Sequence, residues 1–275
     1  MRNINHVIWA EVLESLRARW FYIFCLVFGG MIIVLIASGI TGSRVLGFSG
    51  LSRLLITYLQ LCIALIPIFV LISTVRSVVG ERESNVLEYF LSMPISIPAY
   101  YWGKLIGKCL VISFPVVVSL LGAAFYGLFK GLVIPWATVS FFALLLGTLS
   151  LCFVGVGMFI STIVRKQEWG LGLAFLVWLV LLVFIDVIMI ALMLRQRISE
   201  KIIVLISLLN PLQAFRTGGI ILFDPALSSI GPASYVILDT LGKTGFLMYT
   251  ILYPLGLGLL FSWAGYLFFK KGDLI

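Results

Sequence analysis

The side chains able to do chemistry are few and scattered. One histidine, His6, and four cysteines, Cys25, Cys62, Cys109 and Cys152, are spread through a chain of 275 residues. The sequence has no CxxC pair, and each cysteine lies in or beside an apolar run, which argues against a zinc site or a disulfide framework. The nearest approach to a phosphate-cradling GxxxxGK[ST] loop is Leu241-Gly242-Lys243-Thr244, but the position of its first glycine holds Ile237. Hydrolysis or metal chemistry needs convergent His, Asp, Glu or Ser groups, and Asp186 stands by itself in an apolar stretch. The polar residues with pattern lie instead in Arg76–Lys108. There Gly80-Glu81-Arg82-Glu83 is followed by Leu87-Glu88, Leu91, Pro94, Ser96 and Gly103-Lys104.

The elements that must position these residues are set by composition. Apolar residues make up 62% and charged residues 11%, with a mean hydropathy of +1.19. An ordinary soluble domain carries about 25% charged residues, so this chain belongs in a bilayer. Six continuous apolar stretches are long enough to cross about 30 Å of hydrocarbon as helices: 20–40, 54–75, 109–129, 136–164, 169–194 and 246–269. Barrel strands would show alternating segments of about ten residues. The first stretch reads as a retained span, since Glu11 and Glu14 in its leader are foreign to a signal peptide. Ile202–Leu209 is too short to span and fits a re-entrant or interfacial helix within a long connection, 195–245.

The net charge of +8 reads as topology and not as a nucleic-acid footprint. Arg2, Arg17, Arg19, Arg76, Arg82, Lys104, Lys108, Arg165, Lys166, Lys270 and Lys271 fall on one side, whereas short loops on the other hold Arg44, Arg53 and Lys130. Both termini and the 76–108 loop are therefore expected in the cytoplasm. In the leader, 3–19, Ile8, Trp9, Val12, Leu13, Leu16 and Trp20 share an arc of roughly 140°, opposite His6, Glu11, Glu14, Ser15 and Arg17. An amphipathic helix lying in the interface, polar side to water, is the expectation. In the 76–108 loop, Gly80 is expected to end the preceding span, Glu81 and Glu83 to begin a short helix, and Ser96 to cap another near Pro98.

The loop pattern resembles the cytoplasmic signature of ABC-2 type transporter permeases, close to GERE-x-x-TLE-x-LLS-x-P-x-S followed by GK. Val86 stands for the usual threonine and Asn85 for the frequent glycine. Arg17-Ala18-Arg19-Trp20 is similar to the family's R-x-R-W entry, and Arg165 after Ser161 to its short fourth-to-fifth connection. Asn210-Pro211, Ala214, Phe215 and Arg216 resemble the NP-x-x-A-[YF]-R run of the NosY-like branch. The resemblance implies one permease domain, 1–275, of all-α integral membrane fold. It would have six spans, an elbow helix and a coupling helix, as in type V exporters. Gly80, Glu81, Arg82, Glu83, Leu87, Glu88, Leu91, Pro94 and Ser96 would be the ATPase-coupling residues. The implied partners are a cytoplasmic ABC ATPase dimer carrying ATP and Mg, a second copy of the chain, membrane lipid and an extracytoplasmic β-helical protein. No catalytic group, cofactor or metal is expected in the chain itself.

Asp186, Asn210, Pro211, Phe215 and Arg216 are the candidates for translocation or extracytoplasmic contact. An intramembrane carboxylate costs about 2.5–3.5 kcal/mol at a helix centre. Asp186 is open to three readings: an ion site, a pair for a nearby arginine such as Arg195 or Arg197, or a residue wetted from outside. Met189 and Met193 share a face but read as packing. The apolar Phe215, Ile220, Ile221, Leu222 and Phe223 either re-enter the membrane rim or dock an external protein. The likeness to the NosY-like branch points to copper or sulfur supply for nitrous-oxide-reductase maturation, with drug, lipid or polysaccharide export as the alternative. A secondary transporter would need further intramembrane charges.

Overall fold

The computed structural model describes residues 4–37, 50–88, 95–129, 131, 134–194, 200–223 and 232–272. The described residues contain no strand. Continuous apolar runs leave no alternative in a bilayer, where each backbone N–H and C=O must find its partner within the segment. The helices are α1 (Ile4–Arg17), α2 (Arg19–Ala37), α3 (Gly50–Glu83), α4 (Ile97–Phe129) and α5 (Trp136–Ile163). They are followed by α6 (Gln167–Leu179), a π-helical turn (Val180–Phe184), α7 (Ile185–Leu194), α8 (Glu200–Leu209), α9 (Pro211–Phe223) and α10 (Pro232–Gly272). Among the described residues, six segments are long and apolar enough to cross a membrane: Arg19–Ala37, Leu55–Glu83, Ile97–Phe129, Trp136–Ile163, Gln167–Ile188 and Thr244–Lys271.

Helix α5 is the axis of the bundle, packing on α3, α4, α9 and α10. Its approach to α10 is set by glycine. A Cβ at Gly155 would lie 2.2 Å from the Gly258 carbonyl oxygen, so only a residue without one lets the two backbones meet. Phe28, Tyr58, Phe142, Phe153 and Phe215 fill the core around it. Helix α6 and the π turn lie at the other extreme, with Phe175, Leu176, Val183 and Phe184 exposed.

The structure departs from the sequence expectations in three places. Gly80 does not end the second span, because α3 continues unbroken to Glu83. Helix α4 begins at Ile97 and carries Lys104 and Lys108 within it, so the charged loop shrinks to the residues between 83 and 97. Glycine weakens a helix by only about 1 kcal/mol relative to alanine, and packing overrides it here. On sequence, the apolar residues of the long connection are expected to re-enter the membrane rim or to dock an external protein. Leu212, Phe215, Ile220 and Ile221 of α9 are buried, so its apolar residues fold back into the chain's own body. Helix α10 starts at Pro232 and kinks at Gly242 before its spanning part.

Candidate functional site

The leader helix settles on α4 through a repeated pair. Gly103-Lys104 and Gly107-Lys108 are one turn apart, and the glycines form a seat. A Cβ at Gly103 would lie 2.8 Å from that of Val7, and one at Gly107 would lie 2.8 Å from that of Glu11. With both absent, the α1 backbone lies directly on α4 and Glu11 drops between the two lysines. Its carboxylate is 3.2 Å from Lys104 Nζ and 2.7 Å from Lys108 Nζ. Lys108 also donates to Ser15 Oγ at 3.1 Å and lies over the Trp20 ring at 5.5 Å.

This turns part of the leader's expected polar face, Glu11 and Ser15, into the body. Glu11 is 4% exposed and Trp9 is 64% exposed, so this part of the polar face turns inward and Trp9 turns outward. Periodicity assigns charged residues to water by default, but without the Glu11 carboxylate the two buried lysines would be left uncompensated. Burial alone would raise the Glu11 carboxyl; the charges of Lys104 and Lys108 and their hydrogen bonds instead hold it at about 2. His6 is exposed, as expected.

The second half of the site is the end of α3. Glu81 accepts from Lys104 Nζ and from the Tyr100 hydroxyl, and Lys104 also donates to the Ser77 carbonyl at 3.3 Å. Lys104 thus joins Glu11 of the leader to Glu81 of α3. Arg82 donates to the carbonyl oxygens of Thr162 and Val164 at 3.3 and 3.1 Å, at the end of α5. Glu83 accepts the Gln167 backbone N–H at 3.0 Å, taking up an open donor at the start of α6. Ser161 Oγ accepts from Val78 and Val79 N–H and donates to the Val75 carbonyl, pinning α5 to the same turn of α3. Tyr100 stacks on Phe269, which draws in the end of α10. The Glu81-Arg82-Glu83 run is therefore an internal brace that touches α4, α5 and α6 directly and reaches the leader through Lys104.

Beyond the brace the chain turns outward. Asn85 has φ = 58°, a left-handed conformation that glycine and then asparagine tolerate best, which accounts for asparagine at this position. Ser84, Val86 and Glu88 are exposed, while Leu87 is buried against the body. Leu91 and Pro94 lie outside the described residues. Ser96 precedes α4, and its carbonyl accepts the Tyr100 N–H at 3.0 Å.

The remaining candidates gather at the π turn. Asn210 donates through Nδ2 to the Leu181 carbonyl at 2.8 Å, and its Oδ1 accepts the Leu212 N–H at 3.0 Å. It thus caps α9 and binds a carbonyl of the π turn, while Pro211 occupies the first helical position, where no donor is needed. Phe215 faces the core, at a ring-centroid distance of 6.2 Å from Phe142. Arg216 pairs with Asp186 at 3.1 Å, and Gln213 donates to the same carboxylate. Asp186 thus has an arginine partner thirty residues away and keeps about a third of its side chain open. Arg195 and Arg197 lie outside the described residues. Sequence reasoning missed Glu11, Tyr100, Gly107 and Lys108 as site residues; the doubled Gly-Lys spacing was the signal available for the last two.

Comparison with known proteins adds a family to this geometry. A family model described as "ABC-2 family transporter protein" matches residues 6–274. The "Probable ABC transporter permease protein NosY" of Stutzerimonas stutzeri is 25% identical over 244 residues, covering 85% of this chain and 87% of that protein. Its namesake from Pseudomonas aeruginosa is 22% identical over 233 residues, covering 80% and 84%.

Proposed function

The chain belongs to the ABC-2 transporter family and is a multi-pass permease subunit of an ABC transporter; from that premise we propose that it converts ATP hydrolysis on a separate ATPase into movement of its helices. The observation that carries this reading is the brace. Lys104 joins Glu11 to Glu81, and the next two residues reach α5 and α6, so a push on the adjoining exposed turn is delivered to four helices together. A solvated loop without such ties would absorb the push by bending. The residues offered to the ATPase are then Ser84, Val86 and Glu88, with the segment through Leu91, Pro94 and Ser96. Gly80, Glu81, Arg82 and Glu83 act mainly by holding that segment in place.

In this reading ATP and Mg bind the partner, and the chain performs no catalysis of its own. The excess of Lys and Arg at the braced end supports a cytoplasmic position for that end and both termini, in a plasma membrane, or in the inner membrane of a Gram-negative cell. Two copies assemble around two ATPases. The likeness to proteins named NosY supports copper or sulfur supply in nitrous-oxide-reductase maturation, with an extracytoplasmic β-helical protein as further partner. Asp186, Asn210, Pro211, Phe215 and Arg216 are the residues at which motion would reach the opposite side. Co-purification with candidate ATPases tests the coupling. Val86→Asp with Glu88→Lys is expected to weaken capture at least about tenfold, the loss of roughly 1.4 kcal/mol, without lowering the melting temperature of the permease. Unchanged capture would remove this surface as the docking site.

A further inference from the structure

A polar cavity of about 440 Å³ opens between the leader, the start of α2 and the facing sides of α3 and α4. Glu11, Lys104 and Lys108 form part of its wall, but they satisfy one another. Two other lining side chains are uncommitted: Arg76 on α3 and Glu14 on α1 are exposed and form no ion pair with a described residue. Trp20, at the cavity edge, begins the first span, the position where tryptophan sits at headgroup depth in a bilayer.

We propose that this cavity binds the headgroup of a phospholipid bearing a phosphate and a primary ammonium, of the phosphatidylethanolamine class. One cation and one carboxylate are the complement of that zwitterion. The Arg76 guanidinium is shaped for two phosphate oxygens. Glu14 accepts from the ammonium. A choline headgroup has no N–H to give Glu14, and a glycerol headgroup leaves that carboxylate beside an anion. The site rests on the membrane assignment and the cavity alone, not on coupling to an ATPase.

The test is retention of lipid by the full chain in detergent, read by native mass spectrometry with phosphatidylethanolamine, phosphatidylcholine and phosphatidylglycerol supplied in turn. Wild type is expected to retain the ethanolamine lipid about tenfold better than either other class, the worth of one charge-assisted hydrogen bond. Arg76→Gln is expected to lower retention of the ethanolamine lipid without changing the melting temperature of the delipidated protein. Glu14→Gln should abolish the preference among classes while a phosphate-bearing lipid is still held. Equal retention of all three lipids by wild type, or unaltered retention in Arg76→Gln, would overturn the proposal. Displacement of the lipid by an equal concentration of glycerophosphoethanolamine would assign the cavity to a soluble headgroup and overturn the lipid assignment.

Discussion

Two groups of charged side chains sit within this apolar bundle, and they are built on opposite plans. At the braced end, Glu11, Lys104 and Lys108 are all buried, and each meets at least two polar partners. Near the π turn, Asp186 and Arg216 keep about a third of their side-chain surface open, and the described residues supply Asp186 with Arg216 and Gln213. A fully buried cluster is costly to dismantle, since removing one partner strands the other charges in low dielectric. A half-open pair can exchange its partner for water at little cost. The difference teaches where rigidity and freedom lie: the end that would receive force is locked, and the far end is able to rearrange. The π turn beside Asp186 fits that division, because such turns leave helical carbonyls to be satisfied from outside, here by Asn210.

The largest effect expected of any substitution comes from Glu11→Ala. It leaves Lys104 and Lys108 without their shared anion and should cost about 3–5 kcal/mol, measured as a drop in melting temperature in detergent. If the drop matches that of an exposed carboxylate such as Glu14→Ala, the two clusters do not differ in kind. The pH dependence sharpens the same point. The Glu11 carboxyl is held at about 2 against an ordinary value of 4.5, so its stabilisation is present above 4.5 and is lost as pH falls toward 2. Protease cleavage at the α1–α2 junction should therefore be flat between about pH 5 and 8 and rise only on acidification below 4.5.

Next in size is Gly107→Leu, which places side-chain atoms where Glu11 Cβ lies and lifts the leader, at a cost of about 1–3 kcal/mol in the same melting assay. At the other cluster, Asn210→Ala removes the α9 cap and the partner of the Leu181 carbonyl, at a cost of about 1–2 kcal/mol in equilibrium unfolding. Asp186→Asn should be the mildest, below about 1 kcal/mol, because water replaces the lost charge contact. A larger loss at Asp186 than at Glu11 would reverse the comparison.

The spans were legible because a 20-residue apolar run has one solution in a bilayer, whereas Asn210 and Pro211 were singled out as contact candidates and their place at the start of α9 came from the structure. The inward turn of Glu11 was not legible. Its partners are more than ninety residues away, and a helical wheel cannot tell a polar face toward water from a polar face toward lysines. The choice of Arg216 as the partner of Asp186 likewise depends on α9 folding back against the membrane helices. The π turn over Val180–Phe184 has no sequence signal at all, since Val-Leu-Leu-Val-Phe suits any apolar helix.

The central claim is that the brace transmits motion from the ATPase. It is tested most directly by reconstituting the permease with its ATPase and measuring ATP hydrolysis with Glu11→Asp, which keeps the charge but shortens its reach. The prediction is that assembled complexes form in normal yield while the permease-dependent change in hydrolysis rate falls at least about fivefold, roughly 1 kcal/mol of lost coupling. An assembled Glu11→Asp complex with the wild-type rate would contradict it.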